Sequence, residues 1–158
     1  MELIEFDAAA MDVLRRELEP MKIEIKNRFT GKILFTHDAE GNTIKLTLEA
    51  AVSARANLAG ANLVGANIAG ANLVGANLDG AYLAGEVLTK TPLSLLNLKW
   101  PVLVTSQCMR IGCRRHTHAE WAAFDDDTIS DMSPGALDFW NQWKGVLLEM
   151  CKQHRGES

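Results

Sequence analysis

Ala56-Asn-Leu-Ala-Gly60, Ala61-Asn-Leu-Val-Gly65, Ala66-Asn-Ile-Ala-Gly70, Ala71-Asn-Leu-Val-Gly75, Ala76-Asn-Leu-Asp-Gly80 and Ala81-Tyr-Leu-Ala-Gly85 follow one another without a break, six units of five residues. The third place is aliphatic throughout: Leu58, Leu63, Ile68, Leu73, Leu78 and Leu83. The same register continues through Leu88, Leu93 and Leu98 while the surrounding Ala and Gly places degrade. A spacing of five suits neither regular element. On a helix of about 3.6 residues per turn such side chains spiral round the surface, and on a strand an odd spacing sends alternate ones to opposite faces. Glycine at every fifth place also disfavours a helix. The pattern is satisfied if the chain turns a corner at each unit, so that all nine aliphatic residues point at one axis and the Ala two places earlier fills the space beside each. Units of this kind bury a core only jointly, by stacking.

The units resemble the pentapeptide-repeat family, whose pattern is a small residue, Asn or Asp, Leu or Phe, then two variable places. The resemblance implies a mainly β fold, a short right-handed quadrilateral β-solenoid in which four units make one square coil. About two coils are expected over residues 56–99, with Leu58 to Leu98 as their structural core. Asn57, Asn62, Asn67, Asn72 and Asn77 are expected to stack as polar ladders near the corners.

Working outward, so short an array needs caps that differ from its repeats. Residues 1–20 read as an acidic helical extension: Asp7 caps a helix over 8–18 that carries Met11, Leu14 and Leu18 on one face, and Pro20 ends it. Residues 21–55 read as an N-terminal cap. Here 22–29 alternate polar and apolar, Thr30 and Gly31 turn, 32–36 return as a β-hairpin, 38–42 turn again, and 46–52 pass from a strand into a short helix. The segment from Met21 resembles the usual start of phage and prophage members of the family. Residues 100–158 read as a strand plus a helical cap, with Pro101 to Thr105 extended and Thr117 capping a helix to Phe124. Ser133 caps a longer helix with Pro134 at its first position. Leu137, Trp140, Leu147 and Cys151 form its buried stripe, with Trp143, Val146 and Met150 beside it, and the aromatic residues are expected to cover the C-terminal face of the coil.

The net charge is −4, and residues 1–20 alone carry −4. No cationic stretch leads into an apolar run, and no 18 consecutive residues are apolar, so a cytoplasmic location without membrane contact is expected, in a bacterial host if the chain is phage-encoded. Three cysteines in such a chain point to reduced thiols.

One stretch holds side chains capable of chemistry. Cys108, Cys113, His116 and His118 fall within eleven residues and are donor types that zinc accepts. Their spacing, Cys-x4-Cys and His-x-His, lies at the edge of familiar zinc patterns. Cys113 and His116 also form a nominal nucleophile and base, with Arg114 and Arg115 beside them, yet no orienting group or oxyanion donor accompanies them. No catalytic residue is therefore assigned, the chain is not expected to be an enzyme, and zinc at these four residues is the one cofactor considered. Arg110, Arg114 and Arg115 read as a solvated rim. Asp125, Asp126 and Asp127 lack the alternation and glycine turn of a calcium loop and read as a charged helix start.

These features point to a noncatalytic protein-binding module with a protein partner. Resemblance to phage members extends this to a modulator or inhibitor of a host defence protein. Some members of the family imitate duplex DNA, which makes a DNA-mimic inhibitor of a DNA-binding enzyme one alternative, although the repeat face offers only Asp79 and Glu86, opposed by Lys90. The other alternative is a ligand- or zinc-dependent activity at the Cys/His cluster. Direct nucleic-acid binding is not expected, and the coil ends and hairpin edges invite homodimerisation.

Overall fold

In the computed structural model, which describes residues 7–157, each repeat unit makes its own corner. The Oδ1 atoms of Asn57, Asn62, Asn67, Asn72 and Asn77 accept from the backbone N–H two residues on, at 3.0–3.2 Å. The N–H opening each following unit donates back to the aliphatic residue's carbonyl, as from Ala61 to Leu58 and from Ala71 to Ile68. Between these bonds the fifth residue adopts left-handed backbone, which glycine alone takes without penalty. Residues twenty apart then lie side by side. Leu58 N donates to Asn77 O and Gly60 N to Asp79 O, and β3 (Asn62–Leu63) runs parallel to β4 (Tyr82–Leu83). Four units therefore make one turn, and the aliphatic column from Leu58 to Leu88 is buried inside it.

The coil ends earlier than the column of leucines suggests. Ala84 (φ 52°) and Gly85 (φ 89°) form a two-residue turn with both members left-handed, and β5 (Glu86–Val87) returns antiparallel to β4. Leu88 still reaches the coil core, but Leu93 and Leu98 pack in a second core. The coil proper thus spans residues 56–85, one and a half turns of twenty residues, and not the two coils expected to residue 99. The physical reason is the corner residue: Lys90 and Leu95 stand where a left-handed glycine is needed. The same brevity limits the amide ladder to one rung, Asn77 Nδ2 to Asn57 Oδ1 at 3.2 Å. The residues twenty beyond Asn62, Asn67 and Asn72 are Tyr82, Val87 and Pro92.

At the N-terminal side, α1 (Ala8–Leu18) is capped by Asp7, which accepts from Ala10 N at 2.6 Å. Met11 and Leu14 are exposed, so the expected apolar face is uncovered there; the Leu18 side chain and the first six residues of the acidic segment lie outside the described residues. Strands β1 (Pro20–Lys26) and β2 (Ile33–Glu40) pair antiparallel from Pro20 opposite Glu40, so residues 38–40, read from sequence as a turn, extend the hairpin. The stretch expected to change from strand to helix is helical throughout, α2 (Ile44–Ser53), because Thr43 accepts from Leu46 N and Thr47, Leu48 and Ala51 recur on one buried face. Buried Asn42 locks helix to hairpin. It donates to the carbonyls of Met21 and His37 and accepts from the Thr47 hydroxyl. The hairpin abuts the coil through Arg28 N to Gly60 O and an Asn27–Ala61 bridge.

Beyond the coil, β6 (Leu93–Leu95), β7 (Val102–Val104), β8 (Cys108–Ile111) and β9 (Arg114–Thr117) form an antiparallel sheet in that order. Alternation along β7 sends Leu103 into the coil core and Val102 and Val104 into the second core, which also receives Met109 and Ile111 from β8. Helices α3 (His118–Ala123), α4 (Asp126–Met132) and α5 (Ala136–Arg155) cover the second face. The aromatic residues therefore lie across the sheet from the coil and do not cover it, because strand side chains occupy that place. Ser133 ends α4 in place of starting the long helix. Asp125 opens α4 by accepting from Thr128 N, and left-handed Gly135 separates Pro134 from α5. Among the described residues no helix is long and apolar enough to cross a membrane.

Candidate functional site

The β8–β9 hairpin turns through Gly112 and Cys113, and its register distributes the candidate residues. Cys108 pairs with Thr117, Met109 with His116, Arg110 with Arg115 and Ile111 with Arg114. Cross-strand partners share a face. Cys108, Arg110 and Arg115 therefore look toward the coil, while His116 and Arg114 look toward the helices. Cys113 is exposed in the turn.

The four proposed zinc ligands are thus dispersed. His116 packs edge-on against Trp121 and Phe124, at 5.2 and 4.9 Å between ring centroids. His118 is buried at the start of α3, where Thr117 and Glu120 form a reciprocal capping box. Arg155 approaches His118 Nδ1 at 2.6 Å, and since an arginine can only donate, Nδ1 accepts and Nε2–H donates to Cys108 O at 3.0 Å. The imidazole is therefore held neutral with its lone pair engaged. Burial, reinforced by Arg155, lowers its pKa against the opposing pull of the Cys108 carbonyl. Burial pushes the Cys108 thiol up and the Cys151 thiol up to about 11, which keeps both protonated at neutral pH. Among the described residues no three His, Cys, Asp or Glu side chains gather as a metal site.

Two further features flank the sheet, the first at Glu86, which the sequence places on the outward repeat face and the structure buries. On the coil side, Glu86 is 4% exposed, and its Oε2 atom has no hydrogen-bond partner. It lines a small cavity with Thr105, Cys108, Arg110 and Arg115. Burial raises its pKa, with the Thr105 hydroxyl and Arg115 pulling the other way. The repeat register held this signal: Glu86 occupies the first place of its unit, where Ala61, Ala71 and Ala81 are wholly buried.

On the helix side, an aromatic cleft of about 110 Å³ opens between the hairpin and the helices. Trp100, Trp121, Phe139 and Trp140 wall it. Trp121 is fixed by donation from Nε1 to Met109 O at 2.7 Å and lies 5.4 Å from Trp140, and Trp100 meets Phe139 edge-on at 5.2 Å. Arg114 and Cys113 stand at its mouth, and the Lys99 ammonium lies 4.5 Å over the Trp100 ring. Strand alternation in 108–117 could have foretold the hairpin; nothing local foretells the cleft, whose lining comes from separate segments of the chain between Trp100 and Trp140.

Against known families, residues 54–85 match the model described as pentapeptide repeats (8 copies). The match covers the coil and neither cap. No curated protein and no solved structure matches the chain.

Proposed function

With pentapeptide repeats at its centre, we propose that the chain is a noncatalytic protein-binding module whose coil is a right-handed quadrilateral β-solenoid of one and a half turns. The observation that carries this reading is the outward surface of the coil. It is stitched to itself every twenty residues, and its exposed places hold Asn, Val64, Val74 and the single carboxylate Asp79. Such groups recognise a surface by shape and amide hydrogen bonds and offer little for proton or group transfer.

In the finer form of the proposal the module is a phage- or prophage-encoded modulator or inhibitor of a host defence protein, acting in the bacterial cytoplasm. Resemblance of the segment from Met21 to such proteins supports it. The DNA-mimic alternative has less to draw on, since burial of Glu86 leaves Asp79 as the coil's exposed carboxylate. An activity based on zinc at Cys108, Cys113, His116 and His118 would require the β8–β9 hairpin to be rebuilt, because those donors lie on different faces.

The test is capture from bacterial lysate by the immobilised protein, alongside a chain starting at Met21. One protein retained by both forms in stoichiometric amount is the expected result. A turnover activity abolished by Cys113→Ala or His116→Ala would overturn the reading.

A further inference from the structure

The hairpin register aims Ile111 and Arg114 as a pair toward the helices, and the turn beyond them closes against an indole. Gly112 is left-handed at φ 56°, and a Cβ there would stand 3.4 Å from Trp100 Cδ1. The turn therefore forms one lip of the aromatic cleft. Trp121, Phe139 and Trp140 are recessed, at 2%, 6% and 4% exposure, so an occupant must enter the cleft to touch them. The volume, about 110 Å³, is below that of sites that enclose a whole small ligand and suits a single side-chain group.

Arg114 is the one charged residue among the described residues that line the cleft. No carboxylate lines the cleft among the described residues. Arg114 is exposed, and its contact to protein is a long one, Nη2 to the Met132 carbonyl at 3.3 Å. Lys99 holds its ammonium between the Trp100 ring and the backbone at Gly135, next to the cleft residues Ser133 and Ala136. A cation at the edge of an apolar well offers a counter-charge to a carboxylate beside an entering apolar group.

We infer that this cleft is a recognition surface for a partner protein segment that presents one bulky apolar side chain flanked by carboxylates; the inference rests on the protein-binding reading above. The well desolvates the anchor, as buried aromatic pockets do at interaction hot spots, and the rim cations pair with the flanking acids and repel basic segments. Two cations are too few for a nucleic-acid backbone, whose binding rests on many phosphate contacts.

The probe is a blocked pentapeptide with phenylalanine between two pairs of aspartates, titrated into the full chain while emission from Trp100, Trp121 and Trp140 is followed. A saturable change that weakens with added salt is expected. Binding should fall about tenfold or more when alanine replaces the phenylalanine or lysines replace the aspartates. Arg114→Glu, at an exposed position, should leave the melting temperature unchanged, weaken the acidic peptide about tenfold and shift preference toward the lysine-flanked one. Ala136→Trp, which fills the cleft without touching its charge, should abolish the response to every peptide. No saturable change with the acidic peptide, equal binding of the basic one, free phenylpropionate binding as tightly as the peptide, or indifference to Arg114→Glu would each overturn the inference. Its failure is distinct from failure of the protein-binding reading: a partner captured equally by the wild-type and Arg114→Glu chains keeps that reading and removes this surface.

Discussion

Two cores share the four-stranded sheet and are filled by different rules. Every buried member of the coil core is Ala, Leu or Ile, from Ile25 on the hairpin to Leu103 on β7. The helix-side core is built round Trp121, Trp140, Phe139 and Met109, with Cys151 Sγ 3.8 Å from Met109 Sδ. In the coil a side chain's surroundings follow from its place in the unit, so small and branched aliphatics repeat and backbone bonds set the spacing. Across the sheet each large side chain has neighbours of its own, and Trp121 needs a particular carbonyl for its indole N–H. The first core tolerates description by a rule, and the second is a set of individual fits.

The sharpest test of that contrast uses two leucines that the repeat treats as equals. Leu63 is buried between successive turns, whereas Leu98 is only partly buried in the helix-side core. Leu63→Ala should destabilise the chain by about 2–5 kcal/mol and Leu98→Ala by about 1 kcal/mol, read from urea unfolding midpoints. Equal losses would mean that the coil runs on to residue 98 and would break the comparison.

A second pair separates the repeat's own demand from that of its neighbours. Gly70 and Gly75 have almost the same left-handed backbone, φ 78° and 80°. A Cβ at Gly75 meets nothing within 4 Å, while one at Gly70 would stand 2.8 Å from Pro101 Cβ, just ahead of β7. Gly75→Ala should therefore cost about 1 kcal/mol of backbone strain. Gly70→Ala should cost about 3 kcal/mol, since the proline ring must also shift. Similar thermal shifts for the two would show that the coil and the sheet are not in close contact at that corner.

The smallest effects concern protons, and the two sides of the sheet should respond with opposite sign. Glu86 has a folded pKa raised above its usual 4.5, so the folded chain holds the proton longer than the unfolded one. Its contribution to stability falls as pH rises from about 4.5 through the folded value and is constant above it. His118 has a folded pKa lowered below 6.5, so the unfolded chain is protonated first. Stability is then lost as pH drops below about 6.5, until the folded value is passed. Burial of His154 lowers its pKa too and gives the same sign as His118. Melting temperatures across this range should show Glu86→Gln flattening the first limb and His118→Gln the second. A Glu86→Gln profile identical to wild type would place that carboxyl in water.

How much was legible follows the same division. The corner-forming Asn and Gly, the inward aliphatic column and the helix caps at Asp7 and Thr117 are local, so they could be read from residues a few places apart. The end of the coil is not legible in the column of leucines, which persists after the glycines stop, and the column alone cannot turn a corner. The dispersal of Cys108, Cys113, His116 and His118 is not legible in their spacing, because alternation on β8 and β9 sends neighbouring side chains to opposite faces.

By itself, then, the sequence determined the repeating corners, though not where they end, since each unit carries its own turn chemistry and needs nothing from afar to close it. Only the tertiary structure decided that a sheet separates two cores, that Glu86 is buried on one side, and that an aromatic cleft with Arg114 at its mouth opens on the other. Those features depend on which strands pair and which helices settle on them. Such contacts link residues far apart in the chain and leave no period to read.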